Sequence, residues 1–237
     1  MTFRLVLAAL LVASAAACTE SSTGGAAMPG RTSSPTPSLR ETGCVTAGMK
    51  ESDVRLRGDV DGDGEEEDVY SLTDPRGKPP CRALLFAGTY STSIDLLDDY
   101  VLRLGLPAPV ALADVDGRAG AEIIVKVHAG ASTEFLALYA VRAAALVRLS
   151  IEGRGDDAFG YGGSVTHLEG VDCSAAGEVV AAAAAPAPRA ERYRVVRTTY
   201  EVDDDRLAIS GRERKTIAAA DLDSVPELAA PPFSSCS

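Results

Sequence analysis

From residue 44 onward the apolar positions recur mostly at a period of two, in short β-branched runs. Glu122-Ile123-Ile124-Val125-Lys126-Val127, Phe135 to Val141 and Leu146-Val147-Arg148-Leu149 predict strands, the last two forming a hairpin that turns near Ala143. Arg192 to Tyr200 alternates cleanly, Asp203-Asp204-Asp205 marks a turn, and Leu207 to Ser210 returns. Arginines on one face and valines or tyrosines on the other suit a sheet wetted on one side. One segment has helical spacing: Ile94, Leu97, Val101 and Leu104, ended by Pro107 and Pro109. The alanine-rich run Val179 to Ala185 reads as a tightly packed strand or as filler. The expected class is all-β and mainly antiparallel, as propeller-like blades or irregular sheets, with at most short helices.

The N-terminus has a different pattern. Arg4 precedes the apolar run Leu5 to Ala13, and Ala15-Ala16-Ala17 sets small side chains before Cys18. That is the layout of a secretory signal peptide, and the run is too short to span a bilayer. Ala-Ala-Ala-Cys resembles a lipobox, with Ala15 where Leu is usual. The resemblance implies cleavage before Cys18, lipidation of its thiol and a protein anchored on the outer, extracytoplasmic face of a bacterial cell membrane; an ordinary cleaved signal is the alternative. Residues 18–43 hold the lipidated Cys and a Ser-, Thr-, Gly- and Pro-rich tether. As a coil it spans about 25–30 Å. The β-rich domain is expected over 44–237.

Export changes how the cysteines are read. Besides Cys18 the chain has Cys44, Cys81, Cys173 and Cys236, an even count that suggests two disulfides in an oxidising compartment. Three pairings are possible. Cys44–Cys81 with Cys173–Cys236 closes the shortest loop in each half. The formal charge of −11 becomes −12 once residues 1–17, with Arg4, are removed. That balance argues against nucleic acid, and leaves the lipid anchor as the membrane contact and a protein or glycan at the cell surface as the partner class.

The densest chemistry is Gly58-Asp59-Val60-Asp61-Gly62-Asp63-Gly64-Glu65-Glu66-Glu67-Asp68, seven carboxylates in eleven residues. Crowding like charges into one turn is costly without a counter-charge, and a hard cation such as Ca²⁺ supplies it through oxygen ligands. Asp59, Asp61 and Asp63 occupy the first, third and fifth positions. Glu65 offers its backbone carbonyl at the seventh, and Glu67 or Asp68 closes the site. A solvated acidic turn is the competing reading. Tyr70 at position 12 and the alternating flanks exclude an EF-hand, so the loop should close a β-hairpin. Ala113-Asp114-Val115-Asp116-Gly117-Arg118 repeats the opening 55 residues later, with Arg118 in place of the fifth carboxylate and the metal site weakened or lost.

Asp59-Val60-Asp61-Gly62-Asp63-Gly64 and Asp114-Val115-Asp116-Gly117 resemble the calcium loops of FG-GAP and VCBS repeats. The likeness covers two windows of about a dozen residues. It implies blade-like hairpins of the integrin-α type and calcium, and with two repeats visible it leaves ring closure open.

Other candidates are weaker. His128 reads as an exposed strand-end side chain sharing a face with Lys126. His167 has Glu169 two residues on, without a nucleophile motif. Gly160-Tyr161-Gly162-Gly163-Ser164 reads as a turn, since it lacks the nucleophile-elbow pattern and a phosphate-loop Lys. Two functions remain: a non-enzymatic binding or scaffold module stabilised by calcium, and a secreted hydrolase whose site is assembled from distant residues such as His128, His167 and acidic loops.

Overall fold

A computed structural model describes residue 44 and residues 48–95, 99–188 and 191–236. The expectations for the signal peptide, Cys18 and the tether lie outside the described residues. In chain order the elements are β1 (Lys50–Glu51), β2 (Leu56–Gly58), β3 (Glu67–Thr73), β4 (Ala83–Ala87), β5 (Tyr90–Ser93), α1 (Asp99–Arg103), β6 (Ala108–Ala113), β7 (Glu122–Ala129), β8 (Thr133–Arg142), β9 (Ala145–Arg148), β10 (Ser150–Ile151), β11 (Phe159–Ser164), β12 (His167–Cys173), β13 (Val179–Pro186), β14 (Arg192–Asp203) and β15 (Arg206–Ala218). A 3-10 turn (Ala219–Ser224) and α2 (Pro226–Ala229) follow. The described residues are mostly β and antiparallel-rich, and form no closed barrel or ring.

Two sheets form. In the smaller, β3, β4 and β5 pair in sequence, while β1 and β2 pair with β3. In the larger, the order is β10-β15-β14-β13-β12-β11-β8-β7-β6, with β9 also on β8. Two four-stranded meanders emerge, β2–β5 and β6–β9. Each has its Asp-Val-Asp-Gly loop between the first and second strands.

Burial explains the sequence pattern. Ile123, Val125, Ala137 and Tyr139 face a core shared with Val69, Leu85 and Ala87 of the smaller sheet. Ile124, Leu138 and Ala140 point the other way, into a core with Phe159, Val171, Tyr200 and Leu207. β7 and β8 are therefore covered on both faces, and so read as continuous apolar runs rather than alternating ones. β4 is likewise fully buried, with Leu84 and Phe86 against Tyr70 and the Cys44–Cys81 disulfide. The second disulfide, Cys173–Cys236, holds the tail so that Phe233 packs edge-on to Phe159.

Some local expectations change. The described helix is α1, from Asp99 to Arg103; Leu97 lies outside the described residues, and Ile94 is buried before the helix in the core under the smaller sheet. Gly160 to Ser164 is not a turn but most of β11. Glycine is needed there because Gly162 and Gly163 have φ of +95° and +131°, and a Cβ on either would run into the Ser132 or His167 carbonyl. His128 does not simply share a face with Lys126, because the β7–β8 register shifts between them. It is half-buried and meets Phe135 edge-on at 5.4 Å. The return strand β15 runs well past Ser210, to Ala218.

Candidate metal centre

The loop between β2 and β3 is shaped by its own carboxylates. Gly58 pairs with Glu67, so the chain leaves and re-enters the ladder at adjacent points. Asp59 accepts hydrogen bonds from the Gly62 N–H at 2.7 Å and the Gly64 N–H at 3.0 Å. Gly62 and Gly64 have φ of +81° and +89°, a region open to glycine at little cost. Asp61 accepts from the Asp63 N–H at 3.2 Å and from the Tyr90 hydroxyl at 2.9 Å. Glu67 reaches back to accept from the Val60 N–H at 2.9 Å. Asp59, Asp61 and Glu67 thereby bring one oxygen each within 4.8 Å of one another.

The remaining acidic residues go elsewhere. Asp63 accepts from the Glu65 N–H at 2.8 Å and stands outside this triad, and Glu65 is exposed. Asp68 pairs with Arg55 at 3.0 Å, and Glu66 with Arg57 at 3.1 Å. Of the two closing residues considered, Glu67 is the one in the cluster.

The second loop, between β6 and β7, repeats three of these bonds. Asp114 accepts from the Gly117 N–H at 2.7 Å, Asp116 from the Arg118 N–H at 2.9 Å, and Glu122 from the Val115 N–H at 3.0 Å. Asp114, Asp116 and Glu122 form the matching triad. Here Arg142, at the end of β8, supplies a cation: its Nη2 lies 2.6 Å from Asp116 and 2.8 Å from Glu122. Arg118, the residue the sequence singles out, is half-exposed and only 3.6 Å from Asp116. The guanidinium of Arg142 is thus the main counter-charge, delivered from a strand 20 residues beyond Glu122.

The loops touch. The Ala121 N–H donates to the Asp59 carbonyl at 2.9 Å, and a Cβ on Gly120 would lie 2.8 Å from the Val60 carbonyl oxygen. Such a substitution would force the loops apart.

Burial raises Glu67 above the usual carboxylate pKa, and Asp61, Asp63 and Asp59 push it further, against the Val60 N–H that favours the anion. Glu122 is also raised, chiefly by burial, while the Val115 N–H and Arg142 pull it back. Tyr90 is raised because its hydroxyl donates to Asp61. Both triads are chemically able to hold a metal ion, and an all-oxygen donor set suits a hard cation.

Sequence reasoning missed Glu122 and Arg142. Glu122 was legible, since it stands at the ninth position from Asp114 as Glu67 does from Asp59. Arg142 carries no local signal.

The histidines assemble no catalytic group among the described residues. His167 is exposed and 3.5 Å from Glu169, which also pairs with Arg154. His128 lines an open cavity of about 340 Å³ with Val127, Phe135, Arg148 and Asp95. No hydroxyl or thiol hydrogen-bonds to either imidazole among the described residues. Compared with known proteins, the chain matches no family model, no curated protein and no solved structure.

Proposed function

We propose that this chain is a membrane-anchored extracytoplasmic lipoprotein whose β-rich domain is a binding or scaffold module stabilised by one calcium ion at the Asp59 loop. The observation that carries the metal reading is the contrast in counter-charge. Asp59, Asp61 and Glu67 converge with no cationic side chain among their contacts with the described residues, whereas the matching triad of the second loop closes on Arg142. Calcium suits the first loop better than magnesium, because it accepts irregular coordination by six to eight oxygens. Asp63 and the Glu65 carbonyl are near enough in sequence to complete the shell. An exposed loop of this kind is expected to bind at about 10⁻⁴–10⁻³ M.

The two meanders, each with the same loop at the same place, support the resemblance to FG-GAP and VCBS blades. Two disulfides and the small-residue run before Cys18 support the compartment. The module reading is favoured over a hydrolase because neither His128 nor His167 has a nucleophile at hand among the described residues.

Calcium titration by calorimetry tests the metal. One site at the Asp59 loop is expected, and a flat titration at millimolar calcium refutes it. Intact mass tests the anchor: a mature chain that begins at Cys18 without acyl mass refutes lipidation.

A further inference from the structure

The β14–β15 hairpin segregates charge in a way the acidic composition does not anticipate. Arg194 pairs with Thr216, Val196 with Arg214, and Thr198 with Arg212, without a register shift over this stretch. Directly opposed residues share a face, so Arg192, Arg194, Arg212 and Arg214 all project from the same side. The other side carries Tyr193, Val195 and Ile217, packed against the 3-10 turn and α2. All four arginines are exposed, and none is in an ion pair among the described residues. Arg192 alone is tied back, to the Thr216 carbonyl at 3.1 Å. Eight arginines elsewhere do meet carboxylates.

The row crosses the hairpin obliquely in three two-residue steps, each of about 6–7 Å, for a length of about 20 Å. Ala183 and Ala185 of β13 lie beside Val196 and Arg194. At one end Arg192, Arg194 and Thr216 border an open hollow of about 430 Å³ with Ala187 and Pro188. Charged side chains on an exposed edge deter strand pairing, and that accounts for Arg212 and Arg214 on β15. It does not account for Arg192 and Arg194, which stand on β14 between two paired strands.

We infer that this row is a docking surface for an extended phosphodiester polymer without aromatic bases. The row extends over about 20 Å, too far for all four arginines to meet on one small anion. Arginine positions recurring about every 7 Å along the strands suit a chain of repeating phosphates, which planar guanidiniums bind bidentately. Single-stranded nucleic acid is disfavoured because no aromatic side chain stands in the row to stack a base. A hollow beside the row suits a chain better than a bilayer surface. The inference names a partner for the module proposed above and does not involve the calcium loop, so the two fail separately.

The test is fluorescence anisotropy of labelled poly(glycerol phosphate) with the mature protein in neutral detergent. Arg194→Glu/Arg214→Glu should weaken binding tenfold or more, and rising salt should weaken wild-type binding steeply. Arg76→Glu/Arg103→Glu, which makes the same charge change at exposed residues elsewhere, should change it less than threefold. Melting curves verify folding, and Arg194→Gln/Arg214→Gln replaces the reversal variant if that one melts early. No binding, an equal loss in both double variants, or tighter binding to oligothymidylate or phosphatidylglycerol vesicles overturns the inference. So does self-association in sedimentation that the same substitutions abolish.

Discussion

The loop from Asp59 to Glu67 and the loop from Asp114 to Glu122 place a carboxylate at the first, third and ninth positions and hold it with the same backbone N–H groups. Around these carboxylates they diverge. In the second loop Glu122 is buried, Asp116 is half-buried, and Arg142 lies between them. In the first, Asp61 and Glu67 are half-buried, and the neutral Tyr90 hydroxyl of another strand donates to Asp61. One backbone design thus meets the same electrostatic problem with an internal cation in one copy and, among the described residues, with no cationic side chain in the other. Buried carboxylates need a counter-charge, and a strand-borne guanidinium is always present, whereas an ion depends on its concentration.

The largest effect is expected from removing the internal cation. Arg142→Ala leaves the buried Glu122 without a counter-charge and Asp116 with only the more distant Arg118, and should cost about 3–5 kcal/mol in denaturant melts. Millimolar calcium should recover part of that loss, because the vacated triad then resembles the first one. A variant that is destabilised yet indifferent to calcium would mean that the loops are alike in backbone only. At the first loop, Glu67→Gln keeps a hydrogen-bond acceptor for the Val60 N–H but removes a charge. It should abolish most of the calcium-dependent stabilisation, which at ten times the dissociation constant amounts to about 1.4 kcal/mol.

The pH dependence of that stabilisation follows from Glu67. Its pKa is raised on folding, chiefly by burial, so without calcium its ionisation costs stability as pH climbs from the ordinary carboxylate range through the raised value. Calcium requires the ionised form. The calcium-induced rise in melting temperature should therefore be greatest at neutral pH and shrink towards about pH 4. A shift that stays constant over that range would exclude Glu67 as a ligand. The smallest effect is expected at Asp68, which pairs with Arg55 on the exposed side of the strand. Asp68→Ala should cost no more than about 1 kcal/mol and leave the calcium response intact.

Much of this organisation was legible because it depends on local pattern. Alternation located β14, the Asp-rich turn located its hairpin, and the apolar runs located β7 and β8. The loop-length argument selected the disulfides that are present. The misreadings fall where distant strands decide the outcome. Gly160 to Ser164 looks like a turn in isolation, yet its glycines make room for the Ser132 and His167 carbonyls within a sheet. His128 looks exposed until a register shift sets it against Phe135. Arg118 looks like the residue that alters the second loop because it is adjacent in sequence, while Arg142 performs that role from the end of β8.

The central claim is that the first loop takes an external calcium ion where the second takes Arg142. The most direct measurement is a melting curve of the wild type and of Asp61→Ala, each with and without millimolar calcium. Wild type should melt higher with calcium, and Asp61→Ala should lose most of that rise. No rise in the wild type, or a rise that Asp61→Ala keeps in full, would contradict the account.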